Sequence, residues 1–167
     1  MRVSLARHDS LMRGIIEANS GHVFKTIGDA FCAAFANAEN AVSAAIAAQL
    51  ALHQEDWKDT PIRVRMALHT GWAELRDNDY FGPTLNRVAR LLAIGHGGQT
   101  LASEATYLQV RSHLPEGAGL QDMGQHRLKD LQQPEHAWQI THPDLPGDFP
   151  ALRSLNLLLH HLPGQCQ

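Results

Sequence analysis

Hydrophobic and polar residues recur along the chain with two different periods, which predicts a mixture of helices and strands. Apolar residues at helical spacing across 3–16 predict a first helix that ends near Gly21. Strict alternation across 62–69 predicts a strand, with its even-numbered apolar side chains facing the core. The chain therefore begins in a helix and returns to a sheet after its middle.

The segment HVFKTIGDAFCAAF, 22–35, predicts two short strands joined by a tight turn. Gly28 and Asp29 occupy the turn, because glycine at the first loop position permits the positive φ of a type II′ hairpin. This arrangement puts Lys25 and Asp29 at or near the tip of the hairpin.

Three further helices are predicted from cap residues and apolar spacing. Asn37 caps the alanine-rich segment 38–54, which suits a helix packed closely on a sheet. Pro83 opens a helix that stops at Gly95, and Ser103 caps the last one.

Short apolar runs complete the predicted sheet. The segment 99–103 predicts a short strand, and 119–141 predicts two closing strands around a polar loop. The order of elements indicates an α+β sheet with helices on one face.

The two ends of the chain carry their own expectations. Position 1 already lies within the helical pattern, with no cap and no strand ahead of it, so we expect a missing N-terminal segment. Four prolines break regular structure in 142–167, which predicts a linker or an extension docked on a neighbour.

Composition narrows the classes of function. The 167 residues, 44% of them hydrophobic, suit one domain with a real core, and the net charge of -3 lacks the basic excess of a nucleic-acid binder. The apolar tract 41–52 is too short to span a bilayer and no signal-like segment opens the chain, so we expect a cytoplasmic protein without a membrane partner. The distant pair Cys32 and Cys166 suggests neither a disulfide framework nor a cysteine zinc site.

Four motifs indicate a family. FKTIGDAF, VRMALHTG, DYFGPTLNRVARL and GQHRLKDLQQPEHAWQI occur in the order and approximate spacing found in class III adenylate and guanylate cyclase catalytic domains. The chain resembles that family over 1–141, with 142–167 as a linker or tail. The resemblance implies a ferredoxin-like palm, an α+β fold, that here lacks its first central strand.

The same resemblance implies a head-to-tail dimer, either of two copies or of this chain with another cyclase chain. In such a dimer the nucleotide binds at the interface, and Lys25 and Asp29 serve opposite active sites. Related multidomain bacterial regulators continue into an ATPase and a repeat region, so downstream domains of that kind are expected.

The resemblance also implies roles for individual residues. Asp29 matches one of two aspartates that hold Mg²⁺ or Mn²⁺ on the triphosphate, a suitable ligand because hard cations prefer oxygen. Lys25 and Asp79 match the pair that selects adenine, where a lysine meets a ring-nitrogen acceptor and a carboxylate accepts from the exocyclic amine. Guanylate cyclases usually have glutamate and cysteine at these positions.

Asn86 and Arg90 match the pair that acts in the transition state, with asparagine orienting the ribose and arginine meeting charge on the α-phosphate. Their i, i+4 spacing puts both on one helix face. Lys129 matches a lysine that contacts the terminal phosphates, and Arg127 is the alternative for that role. The implied substrate is ATP and the implied products are cyclic AMP and pyrophosphate.

The chain departs from the family pattern at its start. Class III domains open with a strand carrying FxDI, whose aspartate is the second metal ligand, and this chain has no counterpart, so the implied two-metal site lacks one ligand. The alternative function is therefore an inactive nucleotide-binding or dimerisation module. A diguanylate cyclase is disfavoured because the hairpin reads IGDAF and not GGDEF or GGEEF.

Taken singly, each motif has a plainer reading. Gly28 with Asp29 fits an ordinary hairpin turn, and Asn86 with Arg90 fits a solvated helix face. The joint occurrence of the motifs in family order favours the cyclase interpretation.

Overall fold

The computed structural model describes residues 2–27, 30–57, 61–77 and 79–154. These ranges hold helices and strands in an α+β arrangement. In chain order the elements are α1 (Arg2–Ala18), β1 (Gly21–Ile27), β2 (Ala30–Phe35), α2 (Ala38–Gln54), β3 (Met66–Leu68), β4 (Glu74–Arg76), β5 (Asp79–Phe81), α3 (Pro83–Ala93), β6 (Thr100–Ala102), α4 (Glu104–Val110), β7 (Gly119–His126) and β8 (Glu135–Thr141).

The strands of the described ranges form three separate sheets. The largest has the order β3-β6-β8-β7, in which β3 runs parallel to β6 and the other neighbours are antiparallel. The strands β1 and β2 form an antiparallel hairpin, and β4 and β5 form another. Within the described residues no ladder joins β2 to β3.

The helix α2 connects the first hairpin to the large sheet. Val42 and Ile46 pack in one apolar cluster with β6 and β8. Ala48 and Leu52, further along the same helix, pack with α1 and with both strands of the first hairpin. The alanine-rich sequence permits this dual contact, because small side chains let the helix backbone come close to its neighbours.

The predicted helix caps are confirmed. The Asn37 side chain accepts a hydrogen bond from the backbone N–H of Asn40 at 2.8 Å, and Ser103 accepts one from Thr106 at 3.3 Å. Pro83 is the first residue of α3. Gly82 precedes it with φ of 126°, a conformation that favours glycine and lets β5 turn sharply into the helix.

The prediction of one long strand at 62–69 is wrong. Only Met66–Leu68 forms β3, although Ile62 and Val64 remain half-buried and Arg63 and Arg65 exposed, as the alternation predicts. Among the described residues β3 pairs on one side only, with β6, so the ladder ends where that short partner ends.

The prediction that Gly21 ends the first helix is also wrong. Gly21 is the first residue of β1, and Ser20 takes the left-handed conformation at φ of 66°. A side chain at position 21 would meet the Phe35 ring and Ile16, so glycine is required there for close packing.

Residues 142–154 lie against the domain. Leu152 is only 2% exposed and belongs to the cluster that contains Leu91, Leu101 and Leu128. Gln139 donates a side-chain hydrogen bond to the backbone carbonyl of Gly147 at 3.1 Å. The remainder of the tail, 155–167, lies outside the described residues.

None of the helices in the described ranges combines the length and the apolar character that are needed to cross a bilayer.

We expect Leu152→Ala to lower the free energy of unfolding by about 2–4 kcal/mol, because it empties a site in the core. Urea denaturation followed by circular dichroism measures this change. The matched control is Leu108→Ala on α4, where the leucine is 53% exposed, and its effect should stay within about 0.5 kcal/mol. Equal effects of the two substitutions would contradict the docking of 142–154.

Candidate active site

The structure brings Lys25 and Asp79 together across two hairpins. Lys25 lies on β1 and Asp79 is the first residue of β5, and their Nζ and Oδ2 atoms are 3.0 Å apart. The side chains are 34% and 26% exposed, so a ligand can reach both. The other carboxylate oxygen of Asp79 accepts a hydrogen bond from the backbone N–H of Tyr80 at 2.8 Å, which fixes its orientation.

Aromatic contacts hold the two hairpins in this relation. Phe24 and Tyr80 meet edge to face with centroids 4.9 Å apart, and the Lys25 ammonium lies 5.5 Å from the Phe81 ring centroid. The β1–β2 register shifts between Val23 and Lys25, so Phe24 occupies a bulge. The bulge is part of the local geometry that presents Lys25 to Asp79.

Cys32 is the cross-strand partner of Lys25. Burial raises the pKa of the Cys32 thiol, Lys25 opposes this effect, and Asp79 adds to it. The thiol beside the ion pair is therefore neutral near pH 7 and contributes no charge to the site.

Asn86 and Arg90 lie one turn apart on α3, as predicted. Asn86 is exposed, while Arg90 pairs through Nη2 with Oδ2 of Asp130 at 2.9 Å. The Nε atom of Arg90 is buried and has no hydrogen-bond partner among the described residues. Such a donor is a candidate for binding an incoming acceptor.

A cavity of about 220 Å³ lies beside the C-terminal end of α3. Lys129 and Arg127, the two alternatives for the phosphate contact, both line it together with Arg90. Both Lys129 and Arg127 are therefore still candidates for the contact with the terminal phosphates. Four of the six residues that line it are cationic, and the lining consists of Arg90, Ala93, Ile94, Arg127, Lys129 and Arg153.

Asp29 lies outside the described residues, as does the Gly28 position of the predicted turn. Within the ranges that the structure describes, no three side chains of histidine, cysteine, aspartate or glutamate come together as a metal site.

The described candidates from Asp79 onward follow one another along the chain. The Lys25–Asp79 pair lies just before α3, Asn86 lies on its second turn, and Arg90 is one turn further, about 6 Å along the axis. Beyond the helix end are the cations of the cavity.

Buried polar contacts support α3 and β3 behind this surface. Arg87, one residue after Asn86, pairs with Glu135 of β8 at 3.0 Å, and Glu135 is only 8% exposed. His69, just after β3, lies 2.7 Å from the Ser103 hydroxyl. Burial lowers the pKa of His69, Glu135 opposes this effect and Arg87 adds to it, so the imidazole is neutral at pH 7.

Three residues of this surface were not apparent from the sequence. Asp130 has φ of 66° and holds Arg90, but a lone aspartate in a polar loop carries no signal. Arg153 lies in a proline-punctuated segment that predicts a linker. Trp72 is 95% exposed, and in the sequence only the glycine before it indicates that exposure.

The family model described as adenylate and guanylate cyclase catalytic domain matches residues 1–141. The chain belongs to this family. Its α+β palm is the fold that the resemblance implied, and the family assignment is confirmed. Members of the family bind a nucleotide, form dimers and generally use divalent metals.

Known proteins similar to this cyclase domain include a curated relative and two solved structures. Rv0891c of Mycobacterium tuberculosis, named as uncharacterised, is 46% identical over 127 residues, which are 76% of this chain and 42% of that protein. An adenylate/guanylate cyclase/hydrolase from Silicibacter pomeroyi has a TM-score of 0.70 at 27% identity, covering 88% of this chain and 85% of that one. The adenylate cyclases of Trypanosoma brucei, solved as monomers, reach 0.78 at 24% identity, covering 92% and 83%, and show the fold.

The cyclase domain described here thus spans about two fifths of the length of this curated relative.

We expect the cyclase domain to lose stability as the pH falls below His69's ordinary pKa of 6.5. The pKa of His69 is lower in the folded state, so the unfolded chain binds the proton first as the pH falls. The stability that neutral His69 contributes above pH 6.5 is therefore lost as the pH falls toward the pKa of the folded state. In His69→Asn the free energy of unfolding should fall less between pH 7.5 and 5.5. The difference cannot exceed about 1.4 kcal/mol per pH unit, the limit for one group.

The control is His113→Asn, which changes an exposed histidine. It should keep the wild-type pH dependence in urea denaturation. The lowered pKa of Asp122, caused by the Gly124 backbone N–H and then by His136, acts only near and below pH 3.8 and does not overlap this range. If the free energy of unfolding changes with pH in the same way in wild type and His69→Asn, the lowered pKa of His69 is contradicted.

Proposed function

We propose that the chain is an adenylate cyclase catalytic domain that converts ATP to 3′,5′-cyclic AMP and pyrophosphate in signal transduction. The observation that carries this proposal is the Lys25–Asp79 pair, with Nζ and Oδ2 3.0 Å apart and both side chains partly exposed. An amine donor beside a carboxylate acceptor complements the adjacent ring nitrogen and exocyclic amine of adenine. Guanine presents the reverse pattern at these positions, so the pair selects against it.

The remaining residues act on the ribose and the phosphates. Asn86 is exposed on α3 and orients the ribose, so that its 3′-hydroxyl attacks the α-phosphorus in line. Arg90 neutralises negative charge that develops on the α-phosphate oxygens, and its buried Nε can donate in that state. Lys129 at the cavity holds the terminal phosphates until pyrophosphate leaves.

Arg90 is poised for this exchange of partners. Its present partner, Asp130, is 59% exposed, and an exposed ion pair contributes only about 0–1 kcal/mol. A phosphate that binds the guanidinium in two places therefore displaces the carboxylate at little cost.

For the metal we propose Asp29 as the ligand in this chain, holding Mg²⁺ or Mn²⁺ against the phosphates of the partner's nucleotide. The metal would supply charge neutralisation at those phosphates, and a carboxylate suits it because hard cations prefer oxygen ligands. The protein residues described above perform their binding and orienting roles on the opposite side of the nucleotide.

We further propose that the active form is a head-to-tail dimer, with a second copy or with another cyclase chain. Support comes from large apolar side chains on and beside the β4–β5 hairpin. Trp72 is 95% exposed, Leu75 59% and Phe81 44%. Large apolar side chains that are exposed close together in the chain are frequent at protein interfaces, and tryptophan is enriched among the residues that dominate binding energy.

A second candidate function is a nucleotide-binding or dimerisation module without activity, and the same exposed apolar side chains favour it. The two functions differ in turnover. The decisive assay incubates the full-length gene product with ATP and Mn²⁺ and quantifies cyclic AMP, with Asp29→Ala as the comparison. Cyclic AMP formation that disappears in Asp29→Ala would exclude the inactive module, and no product would exclude the cyclase.

We predict that Lys25→Glu combined with Asp79→Cys shifts preference from ATP toward GTP. The change replaces the donor by an acceptor and removes the carboxylate, which suits the edge that guanine presents. The ratio of kcat/KM for ATP to that for GTP should fall by about tenfold or more, since each mismatched donor or acceptor is left unpaired when the base is bound. Unchanged discrimination in the double variant would show that the pair does not read the base.

We also predict that Trp72→Ala weakens self-association at least about tenfold, since truncating a central tryptophan typically costs about 2 kcal/mol or more. Sedimentation velocity over a range of chain concentrations measures this change. Leu108→Ala, an exposed leucine on α4, is the matched control and should leave association unchanged. A wild-type dissociation constant in Trp72→Ala would remove this hairpin from the interface.

A further inference from the structure

Arg153 lines the same cavity as Arg90, Arg127 and Lys129. It lies beyond residue 141, where the family match ends, so the family assignment says nothing about it. The packing of 142–154 determines where Arg153 lies.

The backbone on both sides of Arg153 is held by buried neighbours. Leu152 and Ser154 are 2% and 1% exposed, and the Ser154 hydroxyl lies 2.9 Å from Nδ1 of His126. The backbone N–H of Arg153 donates to the carbonyl oxygen of Ile94, just past the end of α3, at 3.0 Å. The position of Arg153 relative to α3 is therefore fixed by the core, while its side chain is exposed.

A second contact anchors the segment just before this point. Nε2 of His96 lies 3.0 Å from the carbonyl oxygen of Ala151. Residues 151–153 are thus held by hydrogen bonds against the end of α3 and the turn after it. The backbone that carries the Arg153 side chain is therefore fixed on the domain.

Four of the six residues that line the cavity are cationic, in a chain whose formal net charge is -3. Among the ion pairs of the described residues, only Arg90 of the four cations has a carboxylate partner, which is Asp130. Like charges at one small cavity repel each other, and an anion relieves that repulsion. Planar guanidinium groups bind phosphate oxygens in pairs, so two or three arginines with a lysine suit adjoining phosphate groups better than a single carboxylate.

We propose that Arg153 is a polyphosphate-binding residue, which the docked segment 142–154 delivers to the cavity formed with Arg90 and Lys129. The ligand is a chain of two or three phosphates, either on the nucleotide or as released pyrophosphate. This inference rests on the proposed function for the role of Arg90 and Lys129. It adds that the segment after the catalytic domain supplies part of the phosphate site.

Isothermal titration of the full chain with sodium tripolyphosphate, sodium pyrophosphate and ATP at low salt tests the proposal. Arg153→Ala should weaken tripolyphosphate binding about tenfold, the size of one charge-assisted hydrogen bond, and Arg153→Lys should recover part of the loss. The matched control is Arg111→Ala, which removes an exposed arginine at the end of α4 and should change binding less than twofold. Thermal melting checks that each variant is folded.

The ligands separate the two sources of phosphate. An equal loss for ATP and tripolyphosphate assigns Arg153 to the substrate, and a loss confined to pyrophosphate assigns it to the product; both outcomes support the proposal. Binding by Arg153→Ala that equals Arg111→Ala overturns it, as does a wild-type chain that binds none of the three ligands.

These results are distinguishable from failure of the proposed function. If the full-length gene product makes no cyclic AMP but Arg153→Ala still weakens polyphosphate binding, the phosphate site stands and the cyclase proposal falls. If cyclic AMP forms and Arg153→Ala binds polyphosphate as the control does, the cyclase proposal stands and the assignment of Arg153 to the phosphate site falls.

Discussion

The packing of α2 is the constraint on which the rest of the structure depends. The first hairpin and the large sheet share no backbone ladder within the described residues, so the helix between them fixes their relation. Burying each of the larger side chains, such as Val42, Ile46 and Leu52, contributes about 1.5–3 kcal/mol. Side-chain packing on one helix thus holds Lys25 on the hairpin in register with the rest of the site.

Charge is distributed along the site in a way that suits one ligand. At one end Lys25 and Asp79 are paired and mutually compensated, which suits a neutral base. At the other end Arg90, Lys129 and their neighbours leave net positive charge, which suits phosphates. The ion pairs at both ends are partly exposed and therefore weak, so a nucleotide can replace them without a large penalty. The rigid support comes instead from the nearly buried Glu135 and its contact with Arg87.

How much the sequence predicts depends on how local the cause is. The caps at Asn37 and Ser103 are set within a few residues, and both were predictable. The proximity of Lys25 and Asp79 spans 54 residues and follows from no period in the sequence; it came only with the family resemblance. The strand at 62–69 was overestimated because alternation records burial, whereas a strand also needs a partner with which to form hydrogen bonds.

The features that the sequence did not indicate are tertiary in origin. Arg153 lies in a segment with three prolines, and the burial of Leu152 together with hydrogen bonds to Ile94 and His96 makes that segment part of the domain. Asp130 acquires its meaning from Arg90, 40 residues earlier in the chain. The sequence does not distinguish Trp72 from a buried tryptophan, and its exposure is known only from the structure.

The central claim is that each active site combines Asp29 of one chain with Arg90 of the other. The most direct measurement mixes Asp29→Ala and Arg90→Ala forms of the full-length gene product and follows cyclic AMP formation from ATP with Mn²⁺. Each form alone should be inactive, because both of its sites carry the lesion. In an equal mixture, random pairing makes half of the dimers mixed, each with one intact site, so about one quarter of wild-type activity should return. A mixture that stays as inactive as its components would contradict the account.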